Sequence, residues 1–414
     1  MPRNALYAQS GGVTPVINAS ASGVIEAALA RPDAIGKLYL AHHGIVGALN
    51  EVLIDAASLT PAQRAALPVS PGGAFGSCRH KLKREEEFDR LVALFAEYDI
   101  GYFFYNGGGD SADTCLKVSQ LARERGLDLV AVHVPKTIDN DLPVTDCSPG
   151  FGSVAKYLAT SIQETGLDVS AMAPTSTKVF IMEVMGRHAG WLAAAAGLAS
   201  HERRLPPHII LVPEIAFDTE RFVADVQKMV AEYGYCSIVA SEGIHYADGK
   251  FVADSGTTDA FGHAQLGGVA VVLADLVKNR AGFKVHWAVP DFLQRAARHL
   301  ASQVDLEQAV AVGREAVDLA LAGKGGVMPA IVRTSSRPYA WKIEPAPLEQ
   351  VANTEKKMPR EYLDESGYRL TEAGREYFFP LIQGEALPPF INGLPLMADW
   401  RFEMLPKRLP AFKA

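Results

Sequence analysis

The feature that most restricts the fold of this chain is a repeated order. A short apolar run comes first, then a turn rich in glycine or charge, then a segment of helical period. Apolar runs lie at residues 5–8, 37–42, 100–105, 129–134, 178–185, 208–213 and 237–240. Helices are expected over 15–30, 85–98, 113–125, 149–164 and 220–233. In the second of these, Phe88, Leu91, Val92 and Phe95 share one face. Strands alternating with helices imply an α/β fold with a mostly parallel sheet covered on both faces. In such sheets ligands bind beyond the carboxyl ends of the strands, where the turns lie.

One turn dominates the chemistry: Pro135-Lys136-Thr137-Ile138-Asp139-Asn140-Asp141. It offers a lysine, a hydroxyl, two carboxylates and an amide together. One carboxylate can take a proton from an attacking hydroxyl while the other holds a divalent cation, and Lys136 can offset phosphate charge. That set suits phosphoryl transfer, where catalysis is mostly positioning and charge stabilisation. Strand-to-helix turns also collect Asp and Asn as caps, so the turn alone leaves both readings open. The Ser10-Gly11-Gly12 turn can point N–H groups at a phosphate, but equally fits a plain βα turn. Gly107-Gly108-Gly109 lets a ligand approach the main chain. Asp110 after it can bind metal, cap the helix or exclude a ligand. Arg79, with Lys81 and Lys83 in a glycine-rich loop, suits an anion pocket or a solvated loop.

Composition narrows the class. Of 414 residues 48% are hydrophobic, enough to bury two cores, and the net charge of −7 with no long basic tract argues against nucleic acid. The four cysteines, at 78, 115, 147 and 236, are scattered and suggest reduced thiols without a zinc site. No leader or membrane-spanning stretch is read, so a soluble cytoplasmic protein with no membrane partner is expected. A dinucleotide-binding oxidoreductase would need G-x-G-x-x-G with a following acidic residue, and that combination is missing. Later segments read as a helix over 262–278, a strand from 284 running on to Arg295, and a helix over 306–322. Residues 329–414, rich in Pro, Tyr and charge, read as an extension wrapped on the body.

Taken in order, these turns resemble the phosphofructokinase family, and specifically its pyrophosphate-dependent branch. The matching pieces are Ser10-Gly11-Gly12, Gly76-Ser77-Cys78-Arg79, Gly107–Ser111, 135–141, Met185-Gly186-Arg187, Ser241-Glu242 and Leu293-Gln294-Arg295. They span the chain through Gly326. The resemblance implies two doubly wound Rossmann-like domains plus a C-terminal extension. These are residues 1–145 with a return segment at 296–328, which would bind pyrophosphate and Mg²⁺; 146–295, which would bind fructose 6-phosphate; and 329–414.

The resemblance also implies roles. Asp139 is expected as the general base toward the sugar 1-hydroxyl. Lys136, Asp110 and Arg79 complete the catalytic set, and Asp110 and Asp141 are the expected Mg²⁺ ligands. Gly12 is expected to contact the donor phosphates. Thr137, Ile138, Lys178, Met185, Gly186, Arg187, Glu242, Phe292 and Arg295 are expected around the substrates. Lys178 stands where relatives lend an arginine across a subunit interface, so a homo-oligomer, dimer or tetramer, is expected. Phe292 stands where relatives carry His or Tyr. ATP-using relatives have glycine at the positions of Asp110 and Lys136. A carboxylate at 110 both blocks and repels the nucleotide α-phosphate, and lysine at 136 attracts pyrophosphate, so repulsion and a new attraction together select the donor. The implied reaction makes fructose 1,6-bisphosphate and phosphate, reversibly. The alternatives are an ATP-dependent enzyme, a different acceptor such as sedoheptulose 7-phosphate, and a non-catalytic regulatory subunit of the same fold.

Overall fold

In a computed structural model of the chain, residues 2–258 and 264–412 are described. The strands in chain order are β1 (Arg3–Gln9), β2 (Ile35–Ala41), β3 (Leu53–Asp55), β4 (Ile100–Gly107), β5 (Val130–Pro135), β6 (Val179–Val184) and β7 (Ile209–Leu211). They continue with β8 (Cys236–Ser241), β9 (Asp254–Thr258), β10 (Ala264–Leu266), β11 (Val285–Ala288), β12 (Val327–Ser336) and β13 (Tyr339–Pro347). The chain divides into two compact units, Met1–Gly150 with Arg298–Glu355 and Gly384–Ala414, and Phe151–Ala297 with Lys356–Gln383.

The first unit is built on a seven-stranded sheet of order β13-β12-β5-β4-β1-β2-β3. Its centre is parallel, with β1 pairing both β2 and β4, and β4 pairing β5. The chain leaves β1 toward β2 on one side and returns to β4 on the other. The turns after β1 and β4 therefore open at a topological switch point, where such sheets bind ligands. Side chains pin that point from below: the buried Tyr7 hydroxyl accepts from Gln9 and from Asn106, each at 3.0 Å. The core behind it gathers Leu6, Phe103, Tyr105, Leu94 and Phe95.

The second unit carries a four-stranded parallel sheet of order β11-β6-β8-β7. Val179, Ile181, Ile238 and Ala240 face Phe222, Val226 and Leu273 in its core. The ends of β6, β8 and β11 lie side by side, and each leads into one of the expected site segments.

Several expectations need correction. The region 329–414 is not one extension. Val327 in β12 pairs with Val132 in β5, so this hairpin completes the first sheet. Residues 356–383 pack in the second unit, where Tyr362, Tyr377 and Phe378 surround Trp191. The segment near 400–412 returns to the first unit. There Phe402 lies 5.5 Å from Phe75, and the buried Glu51 carboxylate accepts from Arg90 at 2.9 Å, Tyr98 at 3.0 Å and the Arg408 N–H at 2.8 Å. The helix expected from 113 begins at Gly109, so Asp110 lies in its first turn and Gly108 holds the cap position. Pro135 belongs to β5, paired with Gly107 at the strand end, where a missing N–H costs little. Helix Phe151–Met172 runs eight residues beyond the expected end, and Gly166 inside it is a packing position where a Cβ would meet Pro206 at 2.2 Å.

Of the helix expected over 262–278, Gly262 and His263 lie outside the described residues. Ala264–Leu266 is strand β10, and the helix is Val269–Leu276. Gly267 and Gly268, at φ of 136° and 92°, turn the chain into it. The Glu183 carboxylate receives the opening N–H groups of Gly268 at 3.1 Å and Ala270 at 2.8 Å.

Candidate active site

In the first unit the structure brings four sequence-distant turns together. The Gly11 N–H donates to the Cys78 carbonyl at 2.9 Å, and the Ser77 hydroxyl donates to the Gly11 carbonyl at 2.7 Å. These two bonds tie the β1 turn to the loop that carries Arg79. The Lys136 N–H donates to the Gly107 carbonyl at 3.0 Å, which ties the β5 turn to the triple-glycine loop. The Lys136 ammonium then reaches back and donates to the Gly12 carbonyl at 2.7 Å.

Glycine is required where that lysine lands. Gly11 sits at φ 79°, and a Cβ there would meet the Lys136 Nζ at 3.1 Å. A side chain would be strained and would crowd the ammonium. The result is a buried cation held over a glycine turn with its N–H groups nearby, an arrangement suited to a phosphate.

The turn after Lys136 is held by its own side chains. The Asp139 N–H donates to the Thr137 hydroxyl at 3.1 Å, and Ile138 is buried. Asn140 takes a left-handed φ of 55°, is fully buried, and receives the Ser148 N–H at 3.0 Å. With Asn140 spent on this brace, Asp139 and Asp141 are left half-buried on either side of it. Asn140 was not singled out for this role in the sequence. Its tolerance of positive φ is the signal that could have found it.

Asp110 stands apart from the 135–141 turn in its contacts. Its carboxylate accepts from Lys81 at 2.9 Å, and Lys81 also lies 3.6 Å from Asp113. Arg79, two residues before Lys81, is exposed on the same loop. Among the described residues no group of three His, Cys, Asp or Glu side chains could hold a metal ion. The donor set therefore does not fit an all-protein cage. A magnesium ion binds one or two carboxylates and fills its other positions with water and substrate phosphate, and the half-buried Asp141 carboxylate is of the type it takes.

The second unit assembles the other candidates. Met185, Gly186 and Arg187 follow β6, and Glu242 follows β8. The Gly186 N–H donates to Glu242 at 3.4 Å, and the Ser241 hydroxyl donates to the Gly186 carbonyl. Gly243 is fixed by close approach, since a Cβ would fall 1.8 Å from the Arg187 carbonyl oxygen. Burial pushes the Glu242 carboxyl up from its usual range, against the pull of the Gly186 N–H and of Arg187. Beyond β11, the buried Gln294 amide oxygen receives the Met185 N–H at 3.3 Å. The Arg295 guanidinium lies 3.7 Å over the Phe292 ring, so Phe292 offers a face for the arginine and no hydrogen bond.

Lys178 is not brought to this cluster. It sits at the opposite end of β6, its ammonium donating to the Ala173 carbonyl at 2.6 Å. The six residues of β6 separate it from Met185, roughly 20 Å at the usual rise.

The comparisons with known proteins can be set beside this geometry. The phosphofructokinase family profile matches residues 4–320. The chain belongs to the phosphofructokinase family. It is 60% identical to the pyrophosphate--fructose 6-phosphate 1-phosphotransferase of Methylococcus capsulatus, over 99% of this chain and 98% of that one. It is 59% identical to the protein of the same name from Halomonas elongata, over 99% of each. A crystal structure of the pyrophosphate-dependent phosphofructokinase from Nitrosospira multiformis, 54% identical, superposes with a TM-score of 0.93 over 100% of both chains. In this family member the two doubly wound α/β units are the expected scaffold. No helix among the described residues is long and apolar enough to cross a membrane.

Proposed function

We propose that this chain transfers a phosphoryl group from pyrophosphate to the 1-hydroxyl of D-fructose 6-phosphate, giving D-fructose 1,6-bisphosphate and phosphate. The observation that carries the reading is the Lys136 ammonium, 2.7 Å from the Gly12 carbonyl and poised over the Gly11 turn. A donor with two phosphates and no nucleotide needs a cation there, and the 60% and 59% identity over nearly the full length of the two phosphotransferases supports the same donor.

The roles follow from placement. Gly12 and the neighbouring N–H groups receive the donor, and Lys136 and Arg79 offset the charge that spreads over the transferring phosphoryl oxygens. Asp139 takes the proton of the sugar 1-hydroxyl as its oxygen bonds to phosphorus, and the bridging P–O bond breaks to release phosphate. Asp141 is the protein ligand for magnesium, with Asp110 given over to Lys81. Magnesium, when bound, supplies further neutralisation of phosphate oxygens. In the second unit, Arg187 and Arg295 suit the sugar 6-phosphate, and Glu242 accepts from sugar hydroxyls. The Thr137 and Ile138 backbone flanks Asp139 in the first unit, and Met185 and Gly186 adjoin Arg187 in the second. Lys178, remote from its own cluster, serves the site of a second copy in a homo-oligomer.

The test supplies fructose 6-phosphate and Mg²⁺ with pyrophosphate or ATP as sole donor, and follows fructose 1,6-bisphosphate. Turnover is expected with pyrophosphate and not with ATP. Replacing the base, Asp139→Ala, should lower kcat by about a thousandfold or more while a direct binding measurement still detects pyrophosphate. Turnover with ATP alone would overturn the donor assignment. Sugar-phosphate binding without turnover would favour a regulatory subunit.

A further inference from the structure

Asp110 poses an electrostatic problem if it selects the donor by repulsion. Pyrophosphate is itself a multiply charged anion, so a bare carboxylate that repels a nucleotide phosphate would repel pyrophosphate too. The structure supplies a counter-charge. Lys81 donates to Asp110 at 2.9 Å and lies 3.6 Å from Asp113.

The lysine is fixed from both sides. Its loop is tied to the β1 turn through Cys78 and Ser77, and Leu82 next to it is buried. Asp113 lies three residues after Asp110 on the helix, so both carboxylates face the same side. Asp113 is the rigid end of the group, its side chain 5% exposed against 34% for Asp110. Lys117 donates to it at 2.8 Å and Asn353 at 3.0 Å. The hydrogen bond that Lys81 donates to Asp110 leads the effects that raise the Lys81 pKa, so the ammonium stays charged at neutral pH.

Building on the pyrophosphate reading above, we propose that Lys81 is a specificity-determining positioning residue. Bridging Asp110 and Asp113, it holds the Asp110 carboxylate in place at the helix start and cancels its charge toward an anionic donor. Asp110 then acts on donor choice by its volume. Pyrophosphate meets a neutral pair, while a nucleotide meets an obstacle at the position of its next phosphate.

Two sets of variants test this, each checked for folding by thermal melting. In Lys81→Met the carboxylate is uncompensated, and the KM and the directly measured Kd for pyrophosphate should rise about tenfold, with kcat changed far less. The double variant Lys81→Met with Asp110→Asn removes both charges and should recover pyrophosphate binding to within about threefold of the parent. Lys81→Arg should stay close to the parent. A double variant as weak as Lys81→Met would overturn the proposal, because Lys81 would then contact phosphate itself. An unchanged KM in Lys81→Met would overturn it as well.

The second set leaves Lys81 intact, so it decides the question even if Lys81→Met does not fold. Asp110→Asn, equal in volume and uncharged, should still exclude ATP, while Asp110→Gly should admit it. Admission of ATP by both would show that charge selects the donor. Failure of the pyrophosphate reading itself is distinct, since the parent enzyme would then show no pyrophosphate turnover at all.

Discussion

The two units solve anion recognition in different ways. In the first, the candidate phosphate turns are laced by main-chain contacts: Gly11 to Cys78, Lys136 N–H to Gly107, and the Lys136 ammonium to the Gly12 carbonyl. In the second, the candidate sugar-phosphate groups are long side chains, Arg187 on a loop after β6 and Arg295 on a short helix with its guanidinium over the Phe292 ring, while Gln294 holds the Met185 N–H nearby. Pyrophosphate has no carbon skeleton to read, so a preset cradle of backbone and one lysine suffices. A sugar phosphate offers hydroxyls and a distant charge, which call for forked guanidiniums and a carboxylate.

The contrast sharpens into three tests. The largest effect is expected at Lys136. Lys136→Met should lower kcat/KM for pyrophosphate by about a hundredfold, close to 3 kcal/mol, with the KM for fructose 6-phosphate little changed. Steady-state kinetics with each substrate varied would check it, and equal losses for both substrates would break the division between the units.

Gly243→Ala comes next. Its Cβ would meet the Arg187 carbonyl oxygen at 1.8 Å, so the backbone of the second unit must shift. A stability loss of about 1–3 kcal/mol and a raised KM for the sugar phosphate are expected, with pyrophosphate binding intact. Urea unfolding and calorimetric titration with pyrophosphate would read the two effects separately.

The smallest effect concerns acid. Glu87 is buried, which alone would raise its carboxyl, yet the N–H groups of Arg84 and Lys83 and the His80 and Arg84 side chains hold it down at about 2. It braces the far end of the loop that carries Lys81. Because the folded value is depressed from 4.5, its stabilisation is complete above about pH 4.5 and is lost as pH falls toward about 2. Glu87→Gln should cost about 1–2 kcal/mol near neutrality, and the gap to the parent should close through that window. A gap that stays constant with pH would show that Glu87 acts through shape alone.

Much of the first unit was legible in the sequence because it is written in short local signals. Glycine turns after apolar runs gave the strands and their ends, and Lys136 stood out where its neighbours are carboxylates. Lys81 was visible only as part of a basic loop. Its partner lies 29 residues on, and only the helix starting at Gly109 turns Asp110 and Asp113 toward it. Gln294 acts through a hydrogen bond to Met185, 109 residues away, that no local pattern encodes. The hairpin β12–β13 read as an extension because its proline content masks strand period, whereas pairing to β5 settles its place.

The interleaving of the two units bears on synthesis. The central strands of the first sheet are complete by residue 135, but β12 and β13 are made only at 327–347, and Glu51 meets Arg408 and Leu409 later still. At about 5–20 residues per second, some 200 residues separate β5 from its neighbour by roughly 10–40 s on the ribosome. Through that interval the β5 edge is open, a template for misplaced pairing. A gene cut after Gly150 would keep the second unit on one fragment but strand Arg298–Glu355 and Gly384–Ala414 of the first unit with it, so no single break separates the two units as polypeptides.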